Sequence, residues 1–285
     1  MTSTLTLIAA ALVAAPAFAQ DQITQFNIGV LGGENAQDRM SSNECLRKYT
    51  EDALGVPVKL FTPADYDGVI QRLLGGSLDA AILGASGYAK ACLTNPESVE
   101  PVLVKTNLDG ATTYHSIGFA RKDHDIASMA GMKGKVLGFG DPNSTSGYLI
   151  PAVEMPLRGY SMVAGEYFKD IKFTGVTWAD GLGDWEDGYN SGALRKAVDA
   201  GLVDMNDLVE IWRSKPIPEG PMVVRKALPA DVKEQFVSLV QNLIETDTEC
   251  AYGVASGETA GFAPVTHEAY ATIPEVRKLE EQKGN

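Results

Sequence analysis

Apolar and polar positions alternate with two different periods along this chain, and the switches between them mark out its elements. Phe26-Asn27-Ile28-Gly29-Val30-Leu31 alternates and then meets Gly32-Gly33, the pattern of a strand and a turn. A helix of about three turns is expected within Asn35–Leu54, and Val56–Phe61 reads as a second strand. Thr62-Pro63-Ala64-Asp65 opens a helix whose Val69, Ile70, Leu73 and Leu74 share one face, and Gly75-Gly76 ends it. Leu78–Leu83 is a third strand. Gly84-Ala85-Ser86-Gly87-Tyr88 then turns into a short helix, and Val99–Val104 and Tyr114–Ala120 add two more strands. Strands alternating with helices in this way predict a parallel sheet flanked by helices.

Lys133–Leu137 begins a second block of the same kind. Pro151 follows closely, so the helix beginning near Ser144 should kink or end early. Ala193–Ala200 and Met205–Leu208 read as short helical pieces and Val209–Trp212 as a strand. Pro216–Pro221 is a stiff connector that leads to a returning strand, Met222–Arg225. Asp231–Ile244 is the clearest amphipathic helix, with Val232, Phe236, Leu239, Val240 and Leu243 on one face. After Pro274 the chain is densely charged, and a fraying surface helix is expected. The reading is two α/β blocks with crossings near residues 118–122 and 216–222.

Composition narrows this picture. The 285 residues are 45% apolar and 21% charged, as in a globular protein of two ordinary domains or one large one. Leu5–Ala15 is apolar but too short to remain across a bilayer, and Ala17-Phe18-Ala19 suits signal peptidase, although no Lys or Arg precedes the apolar run. Residues 1–19 are therefore expected to be a signal peptide, cleaved after Ala19, so that the mature protein is soluble and exported. The formal charge of −13 argues against nucleic acid as a partner. Cys45, Cys92 and Cys250 allow one disulfide and a leftover thiol in an oxidising compartment, or are simply three buried small residues.

One stretch carries candidate chemistry. In Gly140-Asp141-Pro142-Asn143-Ser144-Thr145-Ser146-Gly147-Tyr148-Leu149, a strand ends, a turn breaks it, and three hydroxyl residues open a helix. The first N–H groups of a helix lack intrahelical acceptors and lie at its positive dipole end, so neighbouring hydroxyls complete an anion cradle. One capping Ser would be ordinary; three consecutive hydroxyls exceed what capping requires. A P-loop is excluded because no Gly-Lys-Ser/Thr follows. Asp184, Glu186 and Asp187 sit in a Gly-rich stretch that reads as a surface loop, and the run from Asp204 to Asp207 lacks the Gly and distal Glu of a calcium loop. His115 lies on an expected crossover strand. Neither a nucleophile elbow, a metal-ligand pair at helical spacing nor a redox CxxC is present, so no catalytic residue, metal or cofactor is expected.

The cradle stretch resembles the solute receptors of ABC importers for phosphonate, phosphite and phosphate. Asp65-Tyr66, Leu74-Gly75-Gly76-Ser77-Leu78-Asp79-Ala80-Ala81, the DPNSTSGYL run and Trp212–Pro218 occur in the family's order, so the likeness spans nearly all of the mature chain. The DPNSTSGY run is the specific part. The resemblance implies a two-lobed type II periplasmic binding fold, with residues 20–118 and 222–285 as the first lobe and 119–221 as the second. It implies an oxyanion held by Ser144, Thr145 and Ser146, Tyr66 reaching across the cleft, Tyr88 or Ser86 on its other side, and Asp180 accepting a proton-bearing group of the ligand. It further implies a monomer that delivers ligand to an inner-membrane permease and its ATPase. An exported enzyme acting on a phosphorylated small molecule, or a reduced receptor with weak binding, are the alternatives. This chain departs from the family after Gly175, where roughly 20 residues, one helix-plus-strand unit, are absent. Either Lys172–Asp180 forms one continuous strand in a pared-down second lobe, or the chain is a truncated variant.

Overall fold

The computed structural model describes residues 23–31, 36–173, 180–181, 198, 200–201 and 203–283. The expected signal peptide, the helical piece at 193–200 for the most part, and the stretch joining residues 174 to 179 lie outside the described residues.

The first lobe is built around β1 (Phe26–Gly29), α1 (Ala36–Leu54), β2 (Val58–Phe61), α2 (Tyr66–Leu74), β3 (Ala80–Ile82), α3 (Ala85–Thr94) and β4 (Val99–Thr106). α1 is five turns rather than three. The chain leaves through β5 (Thr113–Arg121), forms β6 (Val136–Phe139), a wide π-turn (Thr145–Leu149), α4 (Ile150–Leu157), β7 (Asp170–Phe173), β8 (Asp180–Gly181) and β9 (Leu208–Arg213), and returns through β10 (Ile217–Pro218) and β11 (Pro221–Arg225). The first lobe is then completed by α5 (Ala230–Gln241), α6 (Leu243–Thr246), α7 (Thr248–Ala255), β12 (Gly261–Pro264) and α8 (Ile273–Lys283).

The first-lobe sheet has six strands in the order β12-β4-β11-β3-β1-β2. β1 is parallel to β2 and β3, as the alternating pattern predicts, but β11 is antiparallel to both β3 and β4, and β12 is antiparallel to β4. The sheet is therefore mixed, not purely parallel. The reason is the return crossing: β1 and β3 end at the cleft, whereas β11 starts there and must run the opposite way.

Helices cover both faces. On one, Phe26, Ile28 and Leu46 meet Phe236, Val240 and Ala251, with the Phe26 and Phe236 rings 5.1 Å apart. Of the apolar face anticipated for α5, Val232, Phe236 and Val240 are buried, Leu243 is buried at the start of α6, and Leu239 packs at the edge. On the other, Val69, Ile70 and Leu73 of α2 meet Tyr88 and Tyr270. Asp65 caps α2, its carboxylate accepting from the Gly68 N–H at 2.8 Å. Cys45 and Cys250 form a disulfide between α1 and α7, with Cα atoms 5.8 Å apart, leaving Cys92 free.

Among the described residues the second lobe has two small sheets. β5 pairs antiparallel with β8, β9 and β10, and β6 pairs parallel with β7. Met129, Met132, Phe168 and Trp212 form its core. Phe173 ends on β6 while Asp180–Gly181 lie on β5, so the two ends of the Lys172–Asp180 stretch belong to strands with different partners.

The tail is also not a frayed surface helix. Ile273 is buried in the first-lobe core, Arg277 is 9% exposed, and α8 packs against α3, α4 and the π-turn.

Two outcomes follow for stability. The disulfide closes a span of 205 residues, so the Cys45→Ser/Cys250→Ser double variant should lose about 2–5 kcal/mol, read as a fall in the chemical denaturation midpoint under non-reducing conditions. A Cβ on Gly220 would lie 2.0 Å from the Leu83 carbonyl oxygen, so Gly220→Ala should lower the melting temperature by several degrees, corresponding to about 1–3 kcal/mol of overpacking.

Candidate functional site

The centre of the site is the helix start at Ser144–Leu149. Leu149 N–H donates to the Ser144 carbonyl at 3.0 Å and Ile150 N–H to the Thr145 carbonyl, both five-residue steps, so this turn is wound wide. The next donor would be Pro151, which has no N–H and whose ring would strike the carbonyl four residues back in ordinary α winding. The two carbonyls thus released are taken from outside the helix. Ser116 Oγ donates to the Ser146 carbonyl at 2.6 Å, and Gly140 N–H donates to the Gly147 carbonyl at 3.0 Å. The helix does not end at Pro151; it continues as α4 to Leu157.

Ser144 is the cap, its Oγ accepting from Gly147 N–H at 3.0 Å. The Thr145 and Ser146 N–H groups are then the first of the helix, and such groups have no intrahelical acceptor. Thr145 Oγ1 accepts from the Ser86 N–H at 2.9 Å, joining the start of α3 in the first lobe to the cradle in the second. This close approach needs Gly84: a Cβ there would lie 3.1 Å from Thr145 Oγ1. Asp141 makes a parallel link. It is buried, and its carboxylate accepts from Asn143 N–H at 2.7 Å and from Tyr66 N–H, the start of α2, at 3.2 Å.

A cavity of about 150 Å³ lies between the lobes, with Ser144, Thr145 and Ser146 on one wall and Tyr66, Gly84 and Tyr114 among the facing residues. Toward its far end stand Arg39, Asn43, Lys105 and Glu219, the last two paired at 3.3 Å. The structure thus brings together four of the expected residues at the cavity, Tyr66, Ser144, Thr145 and Ser146.

Ser86 is fully buried just behind that wall, through its bond to Thr145. Tyr88 is placed differently. It is 2% exposed, stacks edge-on to Tyr270 and meets His267 Nδ1 through its hydroxyl at 2.9 Å. Burial, followed by the thiol of Cys92, pushes its hydroxyl pKa well up. Asp180 pairs through its backbone with Ser116, the residue that braces the cradle carbonyl. Among the described residues no cluster of potential metal ligands is found, and no helix is long and apolar enough to cross a membrane.

The family profile described as "ABC transporter, phosphonate, periplasmic substrate-binding protein" matches residues 28–270. The chain belongs to that family. Its members bind substrate rather than transform it, and work in the periplasm with the membrane components of an ABC transporter.

The chain is 27% identical over 271 residues to the phosphonates-binding periplasmic protein of Escherichia coli K12, covering 93% of this chain and 78% of that protein. It is 26% identical over 273 residues to the phosphate-import protein PhnD of Mycolicibacterium smegmatis, covering 87% and 84%. PhnD1 from Prochlorococcus marinus, solved in complex with methylphosphonate, shares the two-lobed α/β fold with a TM-score of 0.74, at 18% identity over 90% of this chain and 99% of that one.

Several residues that shape this family member's site gave little local signal. Asp141 stood inside the conspicuous run, yet its bond to Tyr66 N–H joins positions 75 apart in sequence. Ser116 and Arg277 lie in stretches that read as a plain strand and a solvated helix. Asp141→Ala should cost about 2–3 kcal/mol, because it orphans two buried N–H donors, and Asp141→Asn, which keeps one acceptor oxygen, should cost less; chemical denaturation of both variants measures the difference.

Proposed function

We propose that this protein captures a small phosphorus oxyanion (phosphonate, phosphite or phosphate) in the inter-lobe cavity and delivers it to an inner-membrane permease driven by its ATPase. The observation that carries this reading is the cradle itself. A widened helix start presents the Ser144–Ser146 hydroxyls and the first N–H groups to a cavity of about 150 Å³, small beside the ~300–1,000 Å³ of sites for drug-sized ligands. Neutral donors at a helix N-terminus suit an oxyanion, because they supply directed hydrogen bonds and partial positive charge without a counter-ion that must be separated on release.

In this reading the ligand's oxygens meet Ser144, Thr145 and Ser146 from the second lobe and Tyr66 from the first, with Ser86 holding Thr145 in place. Asp180 serves a proton-bearing group of the ligand, and Tyr88 acts through packing of the first lobe. The lobes are residues 20–118 with 222–285, and 119–221. The protein acts as a monomer after cleavage following Ala19.

A thermal-shift and titration-calorimetry panel of phosphate, phosphite, methylphosphonate, aminoethylphosphonate and sulfate tests the reading. At least one phosphorus oxyanion should raise the melting temperature and bind, and the Ser144→Ala/Thr145→Ala/Ser146→Ala variant should bind at least about 100-fold more weakly, the equivalent of one or two lost charge-assisted hydrogen bonds. No shift with any phosphorus oxyanion, or unchanged affinity in the triple variant, would overturn it.

A further inference from the structure

The C-terminal helix α8 packs on both sides of the cleft, against α3 of the first lobe and against the π-turn and α4 of the second. Its Arg277 side chain points between them. Nη1 donates to Ser86 Oγ at 2.9 Å and Nη2 donates to Asn143 Oδ1 at 3.1 Å. One planar fork therefore holds one residue from each lobe. Both are next to the cradle: Ser86 donates its N–H to Thr145 Oγ1, and Asn143 immediately precedes the cap Ser144. A second tie anchors the same helix to the second lobe, where the Tyr148 hydroxyl donates to Glu280.

The electrostatics of this position are unusual for a structural clasp. Arg277 is 9% exposed, yet both of its terminal nitrogens bond to neutral oxygens. Its carboxylate partner, Glu281, meets Nε at 3.4 Å from a side chain that is 59% exposed and so largely screened by water. Burying a guanidinium with so little compensation is costly. An anion on the cradle would offset that cost, because field lines in a poorly solvated interior extend further than in water.

We infer that Arg277 is a positioning residue for anion capture, a clasp through which the C-terminal helix holds the cleft closed while the cradle is charged. The inference rests on the oxyanion reading for its ligand-dependent half only. Opening the lobes parts Ser86 from Asn143, and the fork can then keep at most one of them. Closure restores both bonds and sets the cation behind the anion. Arg277 touches neither the cavity nor the ligand; it acts through Ser86 and Asn143.

Hydrogen exchange in anion-free protein tests the clasp. The Tyr66 and Ser86 amides both donate across the lobes, whereas Phe236 in α5 reports on the first-lobe core. Arg277→Gln should speed exchange at Tyr66 and Ser86 by about 10-fold or more relative to Phe236, with Arg277→Lys in between because it keeps the charge but loses the fork. Unchanged relative exchange at Ser86 overturns the clasp, whether or not any anion binds. If Arg277→Gln fails to fold, the same comparison is read from Arg277→Lys.

Stopped-flow binding of methylphosphonate and phosphate then tests the anion half. Arg277→Gln should dissociate about 10-fold or more faster while its association rate stays within about threefold, since the clasp forms after encounter. Equal dissociation rates in parent and variant overturn that half. Where the parent binds neither, the same comparison is made with phosphite and aminoethylphosphonate; a parent that binds no phosphorus oxyanion refutes the oxyanion reading and with it the ligand-dependent half, and the exchange result still decides the clasp.

Discussion

A proline that cannot donate shapes the middle of this molecule. Without an N–H at Pro151, the helix that begins at Ser144 is wound wide through its first turn, and the Ser146 and Gly147 carbonyls turn to Ser116 and Gly140. Buried carbonyls must find partners, so the cradle is fastened to the crossing strand β5 and to the loop after β6. The position and width of the helix mouth are thus fixed by tertiary bonds, and the three hydroxyls at its rim are held by the body of the protein instead of by the helix alone.

The lobes meet through apolar packing of Leu149 and Val276 and through a set of buried polar bonds. Thr145 with Ser86, Asp141 with Tyr66, and Arg277 with Ser86 and Asn143 each join groups far apart in sequence. Bonds of this kind contribute modestly when made and cost more when broken without water to replace them. An interface of directed bonds around a cavity, with an apolar core on each side, suits lobes that must meet in one geometry and still separate. Gly84 and Gly220 serve the same end. A Cβ at the first would lie 3.1 Å from Thr145 Oγ1, and at the second 2.0 Å from the Leu83 carbonyl oxygen.

Membership of a phosphonate-binding family and the shared fold of a methylphosphonate complex agree with a cleft built around an anion cradle. In this chain the cleft is supported from more than one element. The second lobe divides its strands between two small sheets, and the C-terminal helix crosses the back of the cleft to brace it.

The local pattern of the chain determined most of its elements. Period-2 alternation placed β1 to β5, the 3.6-residue period placed α2 and the buried face of α5, and the hydroxyl run marked the helix mouth, because each depends on neighbours within a few residues. Local pattern misjudged the sheet as purely parallel, α1 as three turns and α8 as a frayed tail, and of the kink or early end expected at Pro151 the early end does not occur. The direction of β11 depends on which end of the sheet the returning chain enters. The survival of the helix past Pro151 depends on acceptors satisfied by Ser116 and Gly140, and the burial of Arg277 depends on two oxygens supplied by different lobes. The sequence by itself determined which segments form and where an anion could be bound. Only the tertiary structure decided how that site is braced, because its bracing bonds, apart from the one between Gly140 and Gly147, join residues between about 30 and 190 positions apart, a separation that no local periodicity records.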